Sequence, residues 1–182
     1  FKKLAFEICN NEQLACSSPQ CVFVEDANFE ILKKFGHKLN AALKEVSPTI
    51  KQILPEGPEL AELTVTKELV RLESYFQDSF LIEAEDQAYR IYIDMKEGLE
   101  ASPLFRTIWV KPLAKNNIVK MLRPLKQYLQ TVGLVCKQDE VVELTQLFFQ
   151  SGVQRIKALK EMTDSYMGEP HDGEYALLRY CQ

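Results

Sequence analysis

Apolar and polar positions along this chain follow two rhythms, and each change of rhythm marks an element. Leu4, Phe6, Ile8 and Cys9 fit a short helix over residues 1–9 that stops at Asn10-Asn11, a pair that favours turns. Residues 20–25 form a short apolar run around Val22, Phe23 and Val24, the mark of a buried strand. Phe29, Leu32, Phe35, Leu39, Leu43 and Val46 then recur at helical spacing, so a long amphipathic helix is predicted, capped by Asp26 or Asn28 and turning Lys33, Lys38 and Lys44 outward. Gly36 inside that helix costs about 1 kcal/mol relative to Ala and implies close packing on a neighbour. His37 reads as a helix-surface residue. Ser47-Pro48 ends the helix, and a short helical segment around Ile50 and Leu54 is expected before the break at Pro55-Glu56-Gly57-Pro58.

A second long helix carries Leu60, Leu63, Leu69, Val70, Leu72, Tyr75 and Phe76, weakened in its first half by the β-branched Thr64-Val65-Thr66. Residues 79–85 and 88–95 alternate like strands around Asp86-Gln87, the spacing of a two-residue hairpin. Tyr89, Ile91 and Ile93 alternate with Arg90, Tyr92 and Asp94, which predicts one covered face. Next come a strand over 105–111 stopped by Pro112, a helix over 115–130 kinked by Pro124, a strand over 131–137, a helix over 138–151 and a last strand over 153–158. Strand, helix, strand, helix, strand is the signature of parallel pairing, so the fold class is α/β, a mixed, mainly parallel sheet covered by helices. From 160 to 173 the chain turns polar and rich in Gly and Pro, as in a loop that carries function or one ordered by a partner domain.

Composition narrows the classes. At 182 residues, 46% hydrophobic and 26% charged, the chain has the make-up of one globular domain, or of two small lobes sharing a core. A net charge of −4 and the absence of a basic stripe argue against a nucleic-acid partner. No apolar run approaches the roughly 20 residues of a transmembrane segment, and no signal peptide is visible, so a cytoplasmic protein is expected. Five cysteines without a C-x-x-C pair, and only two histidines, indicate neither a disulfide framework nor a metal site. The chain opens on Phe1 in full helical pattern, and we read it as a piece of a longer protein, residues 1–182 being its cysteine-bearing catalytic domain.

The chemistry concentrates in Asn10-Asn11-Glu12-Gln13-Leu14-Ala15-Cys16-Ser17-Ser18-Pro19-Gln20, polar and Pro-broken, at the mouth of the strand Cys21-Val22-Phe23-Val24. Cys9, Cys21 and Cys136 stand in apolar runs, where a thiol behaves as a small hydrophobe. Cys16 is set among small polar residues, and composition leaves two readings of it, a tolerated surface thiol or a nucleophile. Asn11, Gln13 and Ser17 are candidates for shaping its loop or holding an oxyanion. His171-Asp172-Gly173 reads as an acid/base histidine beside a carboxylate or as a turn.

Asn11 to Ser18, followed by a strand and a long helix, resembles the nucleophile region of the aldehyde dehydrogenase superfamily. Ala15-Cys16-Ser17-Ser18-Pro19-Gln20, Arg106-Thr107-Ile108-Trp109-Val110 and Met167-Gly168-Glu169-Pro170-His171-Asp172-Gly173 resemble one branch of it, the long-chain acyl-CoA reductases (fatty acid reductases) of luminous bacteria. The resemblance implies an NADPH-dependent enzyme that takes a fatty acyl group onto Cys16 as a thioester and releases fatty aldehyde for luciferase. It also implies an acyl group delivered as long-chain acyl-CoA or by an acyl-protein synthetase/transferase complex, and a homo-oligomer. In that superfamily the general-base glutamate and the cofactor-phosphate loop precede the cysteine, which places them upstream of this chain. A glutamate of a Glu-x-Phe-Gly-Pro motif meets the cofactor ribose in many members, and Glu100 in Glu97-Gly98-Leu99-Glu100-Ala101-Ser102-Pro103 is the candidate here, in a looser match. Two rivals stand beside this reading: a cysteine hydrolase or acyltransferase using Cys16 and His171, and a non-catalytic docking module of a fatty acid reductase complex.

Overall fold

The structure, a computed structural model, describes residues 1–25, 27–76, 79–170 and 175. Its elements in order are α1 (Lys2–Cys9), β1 (Cys21–Val24), α2 (Phe29–Val46), α3 (Gly57–Glu73), β2 (Ser79–Glu83), β3 (Arg90–Asp94), β4 (Thr107–Pro112), α4 (Ile118–Leu122), β5 (Thr131–Gly133), α5 (Val141–Ser151) and β6 (Arg155–Lys157). Four strands form one sheet in the order β1-β4-β3-β2, parallel across β1–β4 and β4–β3 and antiparallel across β3–β2. The fold is therefore α/β with a mixed, mainly parallel sheet. β5 and β6 pair with each other, in parallel, as a second small sheet rather than extending the first. The β–α–β pattern is right locally, since α5 is the crossover between them.

The α2 helix shows how pattern becomes packing. Asn28 caps it, its Oδ1 accepting the Ile31 N–H at 2.9 Å. Leu32, Leu39 and Leu43 are fully buried on the face that the spacing predicts, against Ile82, Ile91, Ile93, Ile108 and Val110 of the sheet and Leu4 and Ile8 of α1. Gly36 sits where α2 crosses the sheet, and a Cβ there would lie 2.6 Å from Cδ1 of Ile93. Its missing side chain sets the helix–sheet distance, which offsets its poor helix propensity.

Alternation correctly sorts Tyr89, Ile91 and Ile93 onto the α1/α2 face, but the opposite face is covered too. Tyr92 and Trp109 meet there edge to face, ring centroids 5.0 Å apart, beneath Val70 of α3. Arg90 and Asp94 are buried as well, by pairing: Arg90 Nε with Glu83 at 3.0 Å and Asp94 with Lys111 at 3.1 Å. β3 is an inner strand covered on both faces, where buried charges must be paired, so polarity on one side marked ion pairs instead of solvent.

Three further expectations are corrected. The hairpin closes through four residues, 85–88, with Gln87 at φ 57° and Ala84 N–H bonded to Tyr89 O, because Asp86 Oδ1 takes the Ala88 N–H and widens the turn. Residues 50–54 are not helical; a 3-10 turn spans Ser47–Thr49 and the chain then runs irregularly. Residues 115–130 are not one bent helix, since α4 ends at Leu122 and 3-10 turns continue over Arg123–Tyr128. Pro124 cannot supply the N–H that an α-helical turn would use there, and the backbone tightens instead of kinking.

Gly36→Leu should lower the urea midpoint by an amount equal to about 1–3 kcal/mol, because overpacking against fully buried Ile93 exceeds the propensity gained. An unchanged midpoint would show that the helix–sheet distance is not set at this residue.

Candidate active site

Two turns of the same unusual kind build the site. Between α1 and β1 the chain bends through Asn11, Glu12 and Gln13, all with positive φ (50°, 51° and 63°), closed by Leu14 N–H to Asn11 O at 2.9 Å. Before β4 it bends through Leu104, Phe105 and Arg106, again all positive (63°, 48° and 59°), closed by Thr107 N–H to Leu104 O at 3.0 Å. None of the six is glycine, and left-handed backbone costs an L-residue roughly 1 kcal/mol or more. Such turns persist only where the surroundings hold them.

The turns hold each other. Phe105 N–H donates to Glu12 O at 3.0 Å, and the Arg106 guanidinium lies in the fork of the Glu12 carboxylate, Nη2 to Oε1 at 2.6 Å and Nε to Oε2 at 3.0 Å. Both side chains are 1% exposed. Nη1 reaches Ser47 O and Oγ, and Nη2 reaches Ile50 O, so all five guanidinium N–H groups have partners. A buried pair repays its desolvation only when its remaining donors are met in this way.

From that anchor the chain runs into the cysteine loop. Gln13 closes the loop with its carboxamide, Nε2 donating to Pro19 O at 2.7 Å and to Thr107 O at 2.9 Å. One side chain thus ties both ends of a seven-residue loop to the first residue of β4. Inside it, Ser18 N–H bonds to Ala15 O at 2.9 Å, making a tight turn with Cys16 and Ser17 at its centre. Cys16 is exposed; Ser17 and Ser18 are buried.

Beside the turn lies a cavity of about 940 Å³, bordered by residues of both β1 and β5. Cys16, Ser18 and Gln20 stand in its lining, with Val22, Leu125, Leu129, Val132 and Leu134 among the apolar residues that make up most of the wall. That volume is at the upper end of the range of about 300–1,000 Å³ typical of small-molecule sites. The crossover from β3 to β4 also reaches it through Leu99, Glu100 and Ala101, fastened by Ser102 N–H to Gln20 Oε1 at 3.2 Å and by Trp109 Nε1–H to Ala101 O at 3.1 Å. Lys111 Nζ bonds Glu100 at 2.8 Å and Asp94 at 3.1 Å. Burial pulls that ammonium toward neutrality, but the two carboxylates outweigh it and hold its pKa above the ordinary value.

The cysteines divide by environment. Burial pushes the Cys9 thiol up to about 11 and the Cys21 thiol up to about 12, the latter despite the Lys111 charge nearby. Burial, and then Glu140 and Asp139, also raise Cys136. All three are held protonated near neutral pH, where a thiol is a poor nucleophile.

Of the residues singled out from sequence, Cys16 and Glu100 are brought to one cavity, and Gln13 is the loop's clasp. Asn11 is exposed, and its contribution is to accept a left-handed conformation that Asn tolerates well. Ser17 is buried but stands apart from the cavity lining, where Ser18 is found instead. His171 lies outside the described residues. Glu12 and Lys111 were missed, and so was the function of Arg106. The available signal was a charge set in the apolar run Phe105-Arg106-Thr107-Ile108-Trp109-Val110, which calls for a buried partner without naming it.

Glu12→Gln should destabilise the protein by about 3–5 kcal/mol, because it leaves the guanidinium buried without its counter-charge. Adding Arg106→Met should recover part of that loss, as a double-mutant cycle by urea unfolding would measure. Strictly additive losses would mean that the two side chains are not coupled.

No curated protein matches the chain. The family model of the acyl-CoA reductases (LuxC) matches residues 1–182, and with an exposed cysteine on a tied loop beside a large apolar cavity already in view, the chain belongs to the LuxC acyl-CoA reductase family.

Proposed function

We propose that this chain is the cysteine-bearing catalytic domain of an NADPH-dependent long-chain acyl-CoA reductase that makes fatty aldehyde for bacterial luminescence. The observation that carries the reading is the placement of Cys16, an exposed thiol on the wall of a cavity of about 940 Å³ whose lining is mostly apolar. A fatty acyl group has one reactive end and a long apolar tail. The cavity suits the tail, and the cysteine suits the thioester carbon.

In this reading the Cys16 thiolate attacks the acyl carbon, a C–S bond forms, and coenzyme A leaves as its thiolate. The acyl group then stands as a flat, electrophilic thioester on a loop that Gln13 and the Glu12–Arg106 pair keep from drifting. NADPH, when bound, supplies the hydride that turns this thioester into aldehyde and frees the thiol. The chain's own residues make only a small part of a nucleotide site. Glu100 is the candidate for a ribose hydroxyl, it borders the same cavity, and its carboxylate is already paired with Lys111. No G-x-G-x-x-G or P-loop pattern is present in these 182 residues, so we place most of the dinucleotide contacts outside them. Delivery of the acyl group by a synthetase/transferase complex, and assembly as a homo-oligomer, belong to the same proposal.

Two outcomes are expected. In the full-length enzyme incubated with a long-chain acyl-CoA and no NADPH, intact-mass and peptide analysis should find acyl mass on Cys16 and on no other cysteine. Cys16→Ser should abolish aldehyde formation with the melting temperature unchanged, since an alkoxide is far harder to form near neutral pH than a thiolate. Acyl mass on Cys21, or reduction surviving in Cys16→Ser, would reject the assignment. Residues 1–182 alone should oxidise no NADPH with acyl-CoA, and measurable turnover by them would reject the placing of the cofactor site elsewhere. A cysteine hydrolase would instead release free fatty acid in the absence of any nicotinamide.

A further inference from the structure

We infer that the outward face of α3 is the contact through which two copies of this chain pair, helix against antiparallel helix. The inference goes beyond the chemistry at Cys16 and rests only on the reading of the enzyme as a homo-oligomer, to which it gives a surface.

A surface helix ordinarily carries one apolar stripe, turned to the core, with polar residues on the opposite side. α3 carries two. At about 100° of turn per residue, Leu63 and Val70 fall on the same side of the helix. Both are buried, Val70 against Tyr92 and Trp109 of the sheet. Val65, Leu69 and Leu72 fall together on the roughly opposite side and are 59%, 55% and 58% exposed. The row runs on to Phe76 in the 3-10 turn Ser74–Phe76, with Tyr75 beside it, both 78% exposed. Steps of four, three and four residues from Val65 to Phe76 are the spacing of a seam between paired helices.

The size of this face fits a second copy. An aromatic side chain carries about 150–250 Å², so the exposed parts of these five side chains come to roughly 600 Å². That lies at the upper end of the apolar patches found on monomers, about 300–600 Å². Two such faces together hide about 1,200 Å², the size at which specific interfaces begin.

The charges beside the row suit a two-fold contact, in which one surface must complement itself. Glu68 and Arg71 flank one edge, paired with each other at 3.0 Å and each about half exposed. In an antiparallel pair that crosses between Leu69 and Val70, Glu68 comes opposite the partner's Arg71, and Arg71 opposite the partner's Glu68. On the other edge Glu73, which is paired with Lys96, comes opposite Thr66 of the partner subunit, so no two acids meet. Phe76 then lies over Ala61 and Val65 of the partner subunit, and the small Ala61 leaves room for the ring. Glu59 and Glu62 stand about two turns or more from the crossing, at the ends of the overlap. A different protein with a basic seam would match a row edged by acids alone, whereas Arg71 stands on this one.

The test uses the full-length enzyme, with sedimentation equilibrium giving the oligomeric state and the dimer dissociation constant. Wild type is expected to be a dimer or a multiple of one. Leu69→Glu sets two carboxylates across the axis and is expected to weaken the dimer by about 100-fold or more, with the circular dichroism of the wild type retained. Leu69→Cys is the companion variant, which adds no charge to the fold. Oxidation by copper phenanthroline should join two copies through the introduced thiols, identified by peptide mass, while Lys44→Cys on the outer side of α2 should not link. A Leu69→Glu dimer within about threefold of wild type overturns the inference and leaves the homo-oligomer to another surface. Failure of Leu69→Cys to link overturns it too, and maleimide then tells why: no uptake means that the enzyme's own chain covers the face, and uptake means that the face is free or kept for another protein. A monomeric wild type overturns the homo-oligomer reading, and this inference with it.

Discussion

The contact between Glu12 and Arg106 holds together segments that local preference would not bring into place. Each sits in a left-handed turn without glycine, and the two turns meet through one backbone hydrogen bond and a forked ion pair, 94 residues apart in sequence. Neither turn is favoured alone, and neither charge could be buried alone. Together they set the start of the cysteine loop against the start of β4. Arg106 also gathers the carbonyls of Ser47 and Ile50, so the segment after α2 joins the same knot. Rigidity at the cysteine loop is thus drawn from the middle of the protein as well as from the clasp that Gln13 supplies within the loop.

A second consequence concerns where charge is placed. At the far end of the central strands, Lys111 and Asp94 are almost completely buried and extend to Glu100 on the crossover. Parallel neighbours such as β3 and β4 require a crossover of about a dozen residues, and here residues 95–106 have that length. One ion pair fixes the crossover near its middle, another fixes its end, and between them Glu100 and Ala101 are laid along the cavity wall. The geometry of the wall follows from the connection that the sheet requires.

Much of this was legible from sequence, and what escaped has a common cause. Helix α2, its Asn28 cap, the tight place at Gly36, the antiparallel pair β2–β3 and the unusual setting of Cys16 all follow from local pattern, because spacing and composition encode which face is buried. Glu12 and Arg106 could not be paired from sequence, since turns of this hand are ordinarily announced by Gly, Asn or Asp, and five of these six residues are none of them. Likewise the polar positions of β3 were read as solvent-facing when they are paired ions under a second layer. The cavity was invisible for the same reason: β1 and β5 are far apart in the chain and belong to different sheets, and only the assembled fold brings them to the lining of one space.

The distribution of thiols completes the physical picture. Cys9 and Cys21 lie on either side of the cysteine loop in sequence, close to charged groups, yet burial dominates and raises both pKa values, to about 11 and about 12. Cys21 even shares the cavity with Cys16, so a place in the cavity lining does not by itself separate the two thiols. What separates them is solvent. Burial in β1 denies Cys21 the hydration that its thiolate would need near neutral pH, whereas Cys16 is exposed on the loop whose ends Gln13 ties. The same sheet that supplies the cavity wall would silence any cysteine placed within it, and an exposed, tied loop lets a thiol face that wall while keeping access to water.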